Sequence, residues 1–470
     1  MNSGREMFVY HEATKHTVEK IYSSRHVLDW NNMPDPFRHY EGVPLLDLPA
    51  DPDAPRVSML DILRGGIGHT PHSGIDMLSQ LFFYSASVSA SKLVPASGYR
   101  YALRVNPSSG NLHPTEFHVT WRQEGMFHYR PSSHMLEHRG IGDFSRGYEY
   151  SILLTSIAWR EAWKYQARAY RYCLLDAGHA AESLILCARA LGLNTSTVVD
   201  FSDDELATEF GLSPDEWPML FIHLGDEFQA IDTRREFLGG KPNQLSVEQV
   251  TYPLIGAIHS ATKGRPAPSW EEPRQGEGYI PLLDDAQSDA RFGDVVRRRR
   301  SALDFVGGKR TISFSQFSTL LDVATRNLDL VQLYVYVHRV DGLAPGVYRH
   351  WASSATLELI HESDERVMAA ALSLSQDLAG NSCVTFSMVA DLARAARMFG
   401  NRGYRYAHFE AGRVGQRLYL AATAMGFGAT GIGAFYDDQV HQHLGIRPED
   451  GQVIYHFACG YPVDDPRVSP

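Results

Sequence analysis

Cysteine is scarce here: Cys173, Cys187, Cys383 and Cys459 are the whole supply in 470 residues. No two form a C-x-x-C pair. That argues against a zinc knuckle or a disulfide framework and fits four buried thiols in a reducing, cytoplasmic setting. Long apolar runs are missing, so no transmembrane helix is expected. The opening MNSGREMFVYHEATKH has no apolar stretch behind a basic segment, and no secretion signal is expected from it. Basic residues are in deficit: 44 Lys and Arg against 55 Asp and Glu leave a net charge of −11. A dedicated nucleic-acid binder is thereby disfavoured. His11-Glu12 and His16 do not make a metal box, because a spacing of five puts the imidazoles on different helix faces, and no metal is expected. What the chain does have is length and ordinary globular composition, 44% hydrophobic and 21% charged, which implies two domains.

The two domains read as copies. Residues 168–214 lie over residues 402–448 without a gap. Arg168, Tyr170, Arg171 and Tyr172 fall on Arg402, Tyr404, Arg405 and Tyr406. Ala177-Gly178 falls on Ala411-Gly412, and Asp203-Asp204 on Asp437-Asp438. Upstream, SSRHVLDW (23–30) resembles RRRSALDF (298–305), and LSQLFFYSASVSA (78–90) resembles FSQFSTLLDVATR (314–326). TEFHVTWR (115–122) and VQLYVYVH (331–338) both alternate like strands. The pattern predicts an α+β fold: two tandem domains, each a mainly antiparallel or mixed sheet flanked by helices, packed as an internal pseudo-dimer. The expected boundaries are 1–238, a Gly/Pro-rich linker at 239–290 that wraps the surface, and 291–470. The small residues Ala177, Gly178, Ala411 and Gly412 would let the two long helices approach closely.

Function is sought where the copies differ. Only the first half has the loop RVNPSSGNLHPTE (104–116), whose Ser, Gly and Asn offer hydroxyl, amide and backbone donors to a polar ligand. Only the second half has RRRRS (297–301), whose guanidinium forks suit phosphate. Only the second half has GFGATGIGAF (426–435). Its G-x-G-x-x-G follows a helix and leads into a strand, so it is not a dinucleotide fingerprint. Its glycines suit close passage of something flat. Lys164-Tyr165 in the first half aligns with Met398-Phe399 in the second, which places two proton-transfer groups in one copy alone. Plainer readings stay open for each: a turn, a solvated basic face, a surface lysine beside a packing tyrosine. His179, His441 and His443 read as structural or surface residues, and His113 sits within the loop.

PSSGNLHP, RRRRSALDF, WKY-x-x-R-x-YRY-x-x-x-DAGH and GIGAF together resemble the FMN-dependent nitroreductase superfamily. YHEATKH and LDWNNMPDPFRHYEG extend the resemblance to its SagB/ThcOx-type (azoline) dehydrogenase branch. The resemblance implies an FMN-dependent oxidoreductase acting on a small-molecule or peptide substrate. It places Arg299, Arg300 and Ser301 at the flavin phosphate or ribityl chain, with Arg467 as a weaker basic match. Leu303 stands where many relatives carry a basic residue. Gly431, Ile432 and Gly433 would lie near the reactive edge of the ring. Pro107, Ser108, Ser109, Gly110 and Asn111 would reach it from the other half. Lys164 and Tyr165 match that branch's catalytic base pair. Single-domain relatives are homodimers with two interfacial sites, so this chain would be a fused dimer, with room for further homodimerisation. One FMN per chain is expected. The mirror site would draw on Ser24, Arg25, His26, Thr197, Val198 and Val199, lacks a loop, and is expected to be dead. Two alternatives remain: an NAD(P)H-dependent nitro or quinone reductase, and an inactive tandem domain that binds a partner.

Overall fold

In the computed structural model, which describes residues 4–122, 124–229, 234–264 and 270–469, each half is built on an antiparallel sheet with one strand order. In the first half the order runs Glu236–Phe237, Met135–Ile141, Gly125–Arg130, Thr115–Trp121, Tyr148–Ile157, Glu216–Glu227, Thr195–Val198. In the second half it runs Ile280–Pro281, Thr356–Glu362, Gly346–Trp351, Val331–Val337, Val384–Ala390, Gln452–Gly460, Gly428–Ile432. Position for position these are the same sheet, and every strand pair is antiparallel.

Alternation explains the layering. In Val331–Val337, Leu333, Val335 and Val337 enter a core shared by both halves, while Tyr334 and Tyr336 enter a separate cluster on the other face. The shared core is centred on the long helices Ala169–Ala190 and Gly403–Ala424. They touch at Gly178 and Gly412, where a Cβ on Gly412 would stand 2.9 Å from the Gly178 Cα. The small residues therefore do set the helix contact between the halves.

The RYRY segments are reciprocal clamps. Arg168 and Arg171 of the first half grip Asp437, at the start of helix Asp437–Leu444 in the second. Arg402 and Arg405 grip Asp203, at the start of helix Asp203–Glu209 in the first. All six side chains are buried.

Three features depart from the expected picture. The 239–290 segment is not only a surface wrap: helix Pro253–Ala261 buries Ile255, Ile258 and His259, and Thr262 Oγ1 lies 2.8 Å from Tyr170 Oη. Residues 265–269 lie outside the described residues. His441 is buried, and its Nε2 accepts the Val453 N–H at 3.0 Å. The hairpin Val88–Leu93/Arg100–Arg104 exists only in the first half, and the C-terminal Val468–Ser469 crosses over to pair with it. Among the described residues no helix is long and apolar enough to cross a membrane.

Candidate functional site

A cleft runs between the halves. Its wide end holds about 730 Å³ and lies between the hairpin, the arginine run and the C-terminal segment. Its narrow end, about 280 Å³, is lined by the Pro107–Gly110 loop and by Thr430–Ala434. Pro107, Ser108 and Ser301 border both, which makes one continuous site.

Helix Phe292–Arg298 buries Phe292, Val295 and Val296 and so delivers the arginines to the wide end. Arg299 is buried, donating from Nε to the Val105 carbonyl (2.9 Å) and from Nη2 to the Arg104 carbonyl (3.1 Å). Its Nη1 has no partner among the described residues, and burial lowers its pKa to about 10. Arg300 is spent on Ser89 and on carbonyls of its own segment, while Arg298 stays exposed at the cleft wall. Ser301 forms a bridge with Ala429, and its Oγ lies 2.8 Å from Tyr419 Oη. Tyr419 Oη also accepts the Gly431 N–H at 2.9 Å, which ties the serine to the glycine strand.

At the narrow end the glycines make room for tyrosines. A Cβ at Gly431 would stand 1.9 Å from Tyr455 Oη, and one at Gly433 would stand 2.3 Å from Tyr172 Cε1. The facing loop is held in left-handed backbone at Gly110, Asn111 and His113, an uncommon state for the last two. Ser109 donates from its N–H and from Oγ (2.9 Å) to Asp176, and Asn111 Nδ2 donates to the Ala102 carbonyl at 2.9 Å.

Behind that loop lies helix Ala158–Tyr165. A Cβ at Gly110 would stand 2.7 Å from Tyr165 Oη and 3.2 Å from Lys164 Nζ, so the loop rests directly on the pair. Glu161 shares their helix face, one turn earlier. It is wholly buried, neither of its oxygens has a donor among the described residues, and it lies against Asp176. Burial, then the Asp176 charge, pushes Glu161 well above the usual carboxylate range. Burial raises Asp176 to about 6. Burial, reinforced by Glu161, also holds Tyr165 well above its ordinary value. His179 Nε2 lies 3.1 Å from Tyr455 Oη, and burial drops the imidazole to about 3, so it is neutral.

Eleven of the thirteen nominated residues besides Tyr165 line this cleft: Pro107, Ser108, Ser109, Gly110, Asn111, Arg299, Arg300, Ser301, Gly431, Ile432 and Gly433. Tyr165 lines it too, and Lys164 touches it through Gly110. Arg467 does not line it; its guanidinium is paired with Asp465, which does. Sequence reasoning left out Glu161, Tyr172, Asp176, Gln376, Tyr419 and Tyr455 and read His179 as structural. The comparison of halves held a signal for three of them: Ala395 stands opposite Glu161, Arg413 opposite His179, and Ile185 opposite Tyr419.

The mirror position is a cavity of about 170 Å³ walled by Ile185, Val199, Leu220, Leu330, Phe399 and Phe409, among others. Glu410 stands where Asp176 stands and accepts the N–H groups of Asp329, Leu330 and Val331. The SSRHVLDW segment is not its phosphate arm. Those residues are mostly exposed beside helix Ala158–Tyr165, where Trp163 Nε1 donates to the Asp29 carbonyl at 2.9 Å. The counterpart of the arginine run is Arg64-Gly65-Gly66-Ile67-Gly68, placed by the pairing of Ser58 with Arg291. That counterpart lacks all but one arginine.

The nitroreductase family profile matches residues 92–226 and 296–461 of this chain. A candidate nitroreductase of Methanocaldococcus jannaschii is 32% identical over 171 residues, which covers 34% of this chain and 86% of that protein. The crystal structure of a candidate nitroreductase from Anabaena variabilis superposes with a TM-score of 0.79 at 25% identity, covering 98% of this chain and 100% of that one.

Proposed function

This chain belongs to the nitroreductase family, and on that premise we propose that it is an oxidoreductase holding one FMN between its halves and oxidising a peptide-derived or heterocyclic substrate, as SagB/ThcOx-type dehydrogenases do. The observation that carries this reading is convergence. The arginine run, the glycine strand, the Ser/Gly/Asn loop and the Lys-Tyr pair, each present in one half only, meet at one cleft.

The residues suit the group. The partnerless Nη1 of Arg299 and the exposed Arg298 offer donors to a phosphate at the wide end. The glycine strand and the Pro107–Gly110 loop present bare backbone on opposite walls of the narrow end, a slot suited to a flat ring. When bound, FMN supplies the centre that exchanges hydride.

The chain's own residues would manage the proton. Tyr165 keeps its phenol proton, because burial and Glu161 oppose the phenolate. It therefore donates a hydrogen bond. With its Nζ in the neutral amine form, Lys164 would take up the proton leaving the substrate carbon. Glu161 and Asp176 stand behind these two groups and fix the local charge.

The test is a visible spectrum with flavin stoichiometry, followed by turnover of an azoline-bearing peptide. One FMN per chain is expected. Lys164→Ala should lower turnover by roughly 10²-fold or more while the flavin stays bound. A ratio near two overturns the single-site reading, and undiminished turnover overturns the role of Lys164. Fast anaerobic flavin reduction by NADPH, with no azoline oxidation, would instead identify a reductase.

A further inference from the structure

On the far face of the second half, three side chains from three separate elements turn their ligating atoms toward one another. His361 lies next to the end of strand Thr356–Glu362, Glu365 immediately precedes helix Arg366–Leu372, and His443 lies on helix Asp437–Leu444. His361 Nε2 is 2.8 Å from Glu365 Oε1, and His443 Nε2 is 2.8 Å from Glu365 Oε2. The three ligating atoms all fall within 4.8 Å of one another. We propose that His361, Glu365 and His443 form a binding site for a divalent transition-metal ion of the zinc class.

The donor set supports that class. Two imidazoles and one carboxylate, with a coordination position left for water, suit a borderline divalent ion. Magnesium and calcium favour all-oxygen shells. Zinc–nitrogen bonds near 2.0 Å put tetrahedral ligand atoms roughly 3.3 Å apart, so each 2.8 Å imidazole–carboxylate contact opens slightly around the ion, and no pair of ligating atoms starts more than 4.8 Å apart. For each imidazole, binding moves the Nε2 proton to Nδ1 or to solvent.

The surroundings are built for it. The Glu365 side chain is 4% exposed and is held in place by hydrogen bonds with His443, Ser363 and His361. Tyr336 stacks on His443 at 11° between ring planes. His361 and His443 stay 37% and 18% exposed, which leaves a path for the ion. The site belongs to the second half alone, since the first half joins the corresponding strands through residues 142–147 without helices. The ion would fasten helix Arg366–Leu372 to helix Asp437–Leu444. The same inserted segment carries Gln376, a wall residue of the narrow cleft, so binding would also stiffen that wall.

The experiment needs no turnover and is independent of the flavin reading. The full-length protein, stripped with EDTA, is titrated with Zn²⁺ against a chromophoric chelator, and thermal unfolding is followed with and without the ion. One tight equivalent per chain and an upward Tm shift are expected. His361→Ala, at an exposed position, and Glu365→Gln should each weaken binding roughly 100-fold and abolish the shift, with far-UV circular dichroism unchanged. A wild type without a tight equivalent overturns the proposal. So do variants that hold zinc as tightly as the wild type, because the ion then sits elsewhere.

Discussion

Glu161 and Asp176 are two buried carboxyls in one wall, and two such charges cannot both persist there. Asp176 rises to about 6, and Glu161 is held well above the usual carboxylate range, in both cases chiefly through burial. In the unfolded chain both titrate near 4. From about pH 4.5 upward, until the native carboxyls have titrated, the native state therefore binds more protons than the unfolded state, and stability falls as pH rises. Glu161→Gln keeps a hydrogen-bonding group there without needing that proton. The variant should be more stable than the wild type at pH 7.5, with the gap closing toward pH 5. Urea midpoints across that range check it; parallel profiles would show that the two carboxyls share no proton. This pair also marks the limit of legibility at this scale. Lys164 and Tyr165 stood out because their counterparts had become apolar, and Ala395 opposite Glu161 carried the same message. Asp176 gave no such contrast. Its counterpart Glu410 keeps the carboxylate for a different task, accepting strand N–H groups beside a pinched cavity.

At the scale of elements, the duplication was readable because a pseudo-two-fold interface needs each half to hold the other. Arg168 and Arg171 act on Asp437 while Arg402 and Arg405 act on Asp203, so both copies retain the whole motif. Short likeness without such a constraint misled. SSRHVLDW shares letters with RRRSALDF, yet the true counterpart of the arginine run is aligned by extended Ser58 beside Arg291, and a backbone pairing leaves little mark on side-chain identity. The same comparison exposes strain. Gln166, which caps helix Ala158–Tyr165, sits at φ 51°, ψ −138°, where its counterpart Gly400 sits at φ 58°, ψ −146°. Only glycine adopts that conformation without penalty. Gln166→Gly should raise stability by about 1 kcal/mol, the relieved strain exceeding the added chain entropy of glycine. Thermal or urea unfolding measures it. A destabilised variant would mean that the Gln166 side chain makes a compensating contact.

At the scale of the molecule, neither half is self-sufficient. The N-terminal helix Arg5–Ala13 leans on the second half, where the Met7 N–H donates to Asn401 and Lys15 pairs with Asp438. The C-terminal segment leans on the first, through Val468–Ser469 against Ser91–Lys92 and through Asp465 against Lys92 at 2.7 Å. This crossing was not legible in the sequence, because a two-residue strand has no periodicity to read. It does reframe Arg467, nominated as a phosphate contact but paired with Asp465. If the segment's role is to close the wide end by its pairing, deleting residues 464–470 should weaken FMN retention about tenfold, or ~1.4 kcal/mol. Far-UV circular dichroism should hold, since the removed residues bury little and the Val463 N–H still donates to the Asp304 carbonyl at 3.0 Å. Arg467→Ala alone should then cost much less, because Lys92 still engages Asp465 and the backbone pairing survives. Flavin released from the two variants during dialysis separates the readings. Equal loss from both would mean that the guanidinium leaves Asp465 for the phosphate and that the strand is only its carrier.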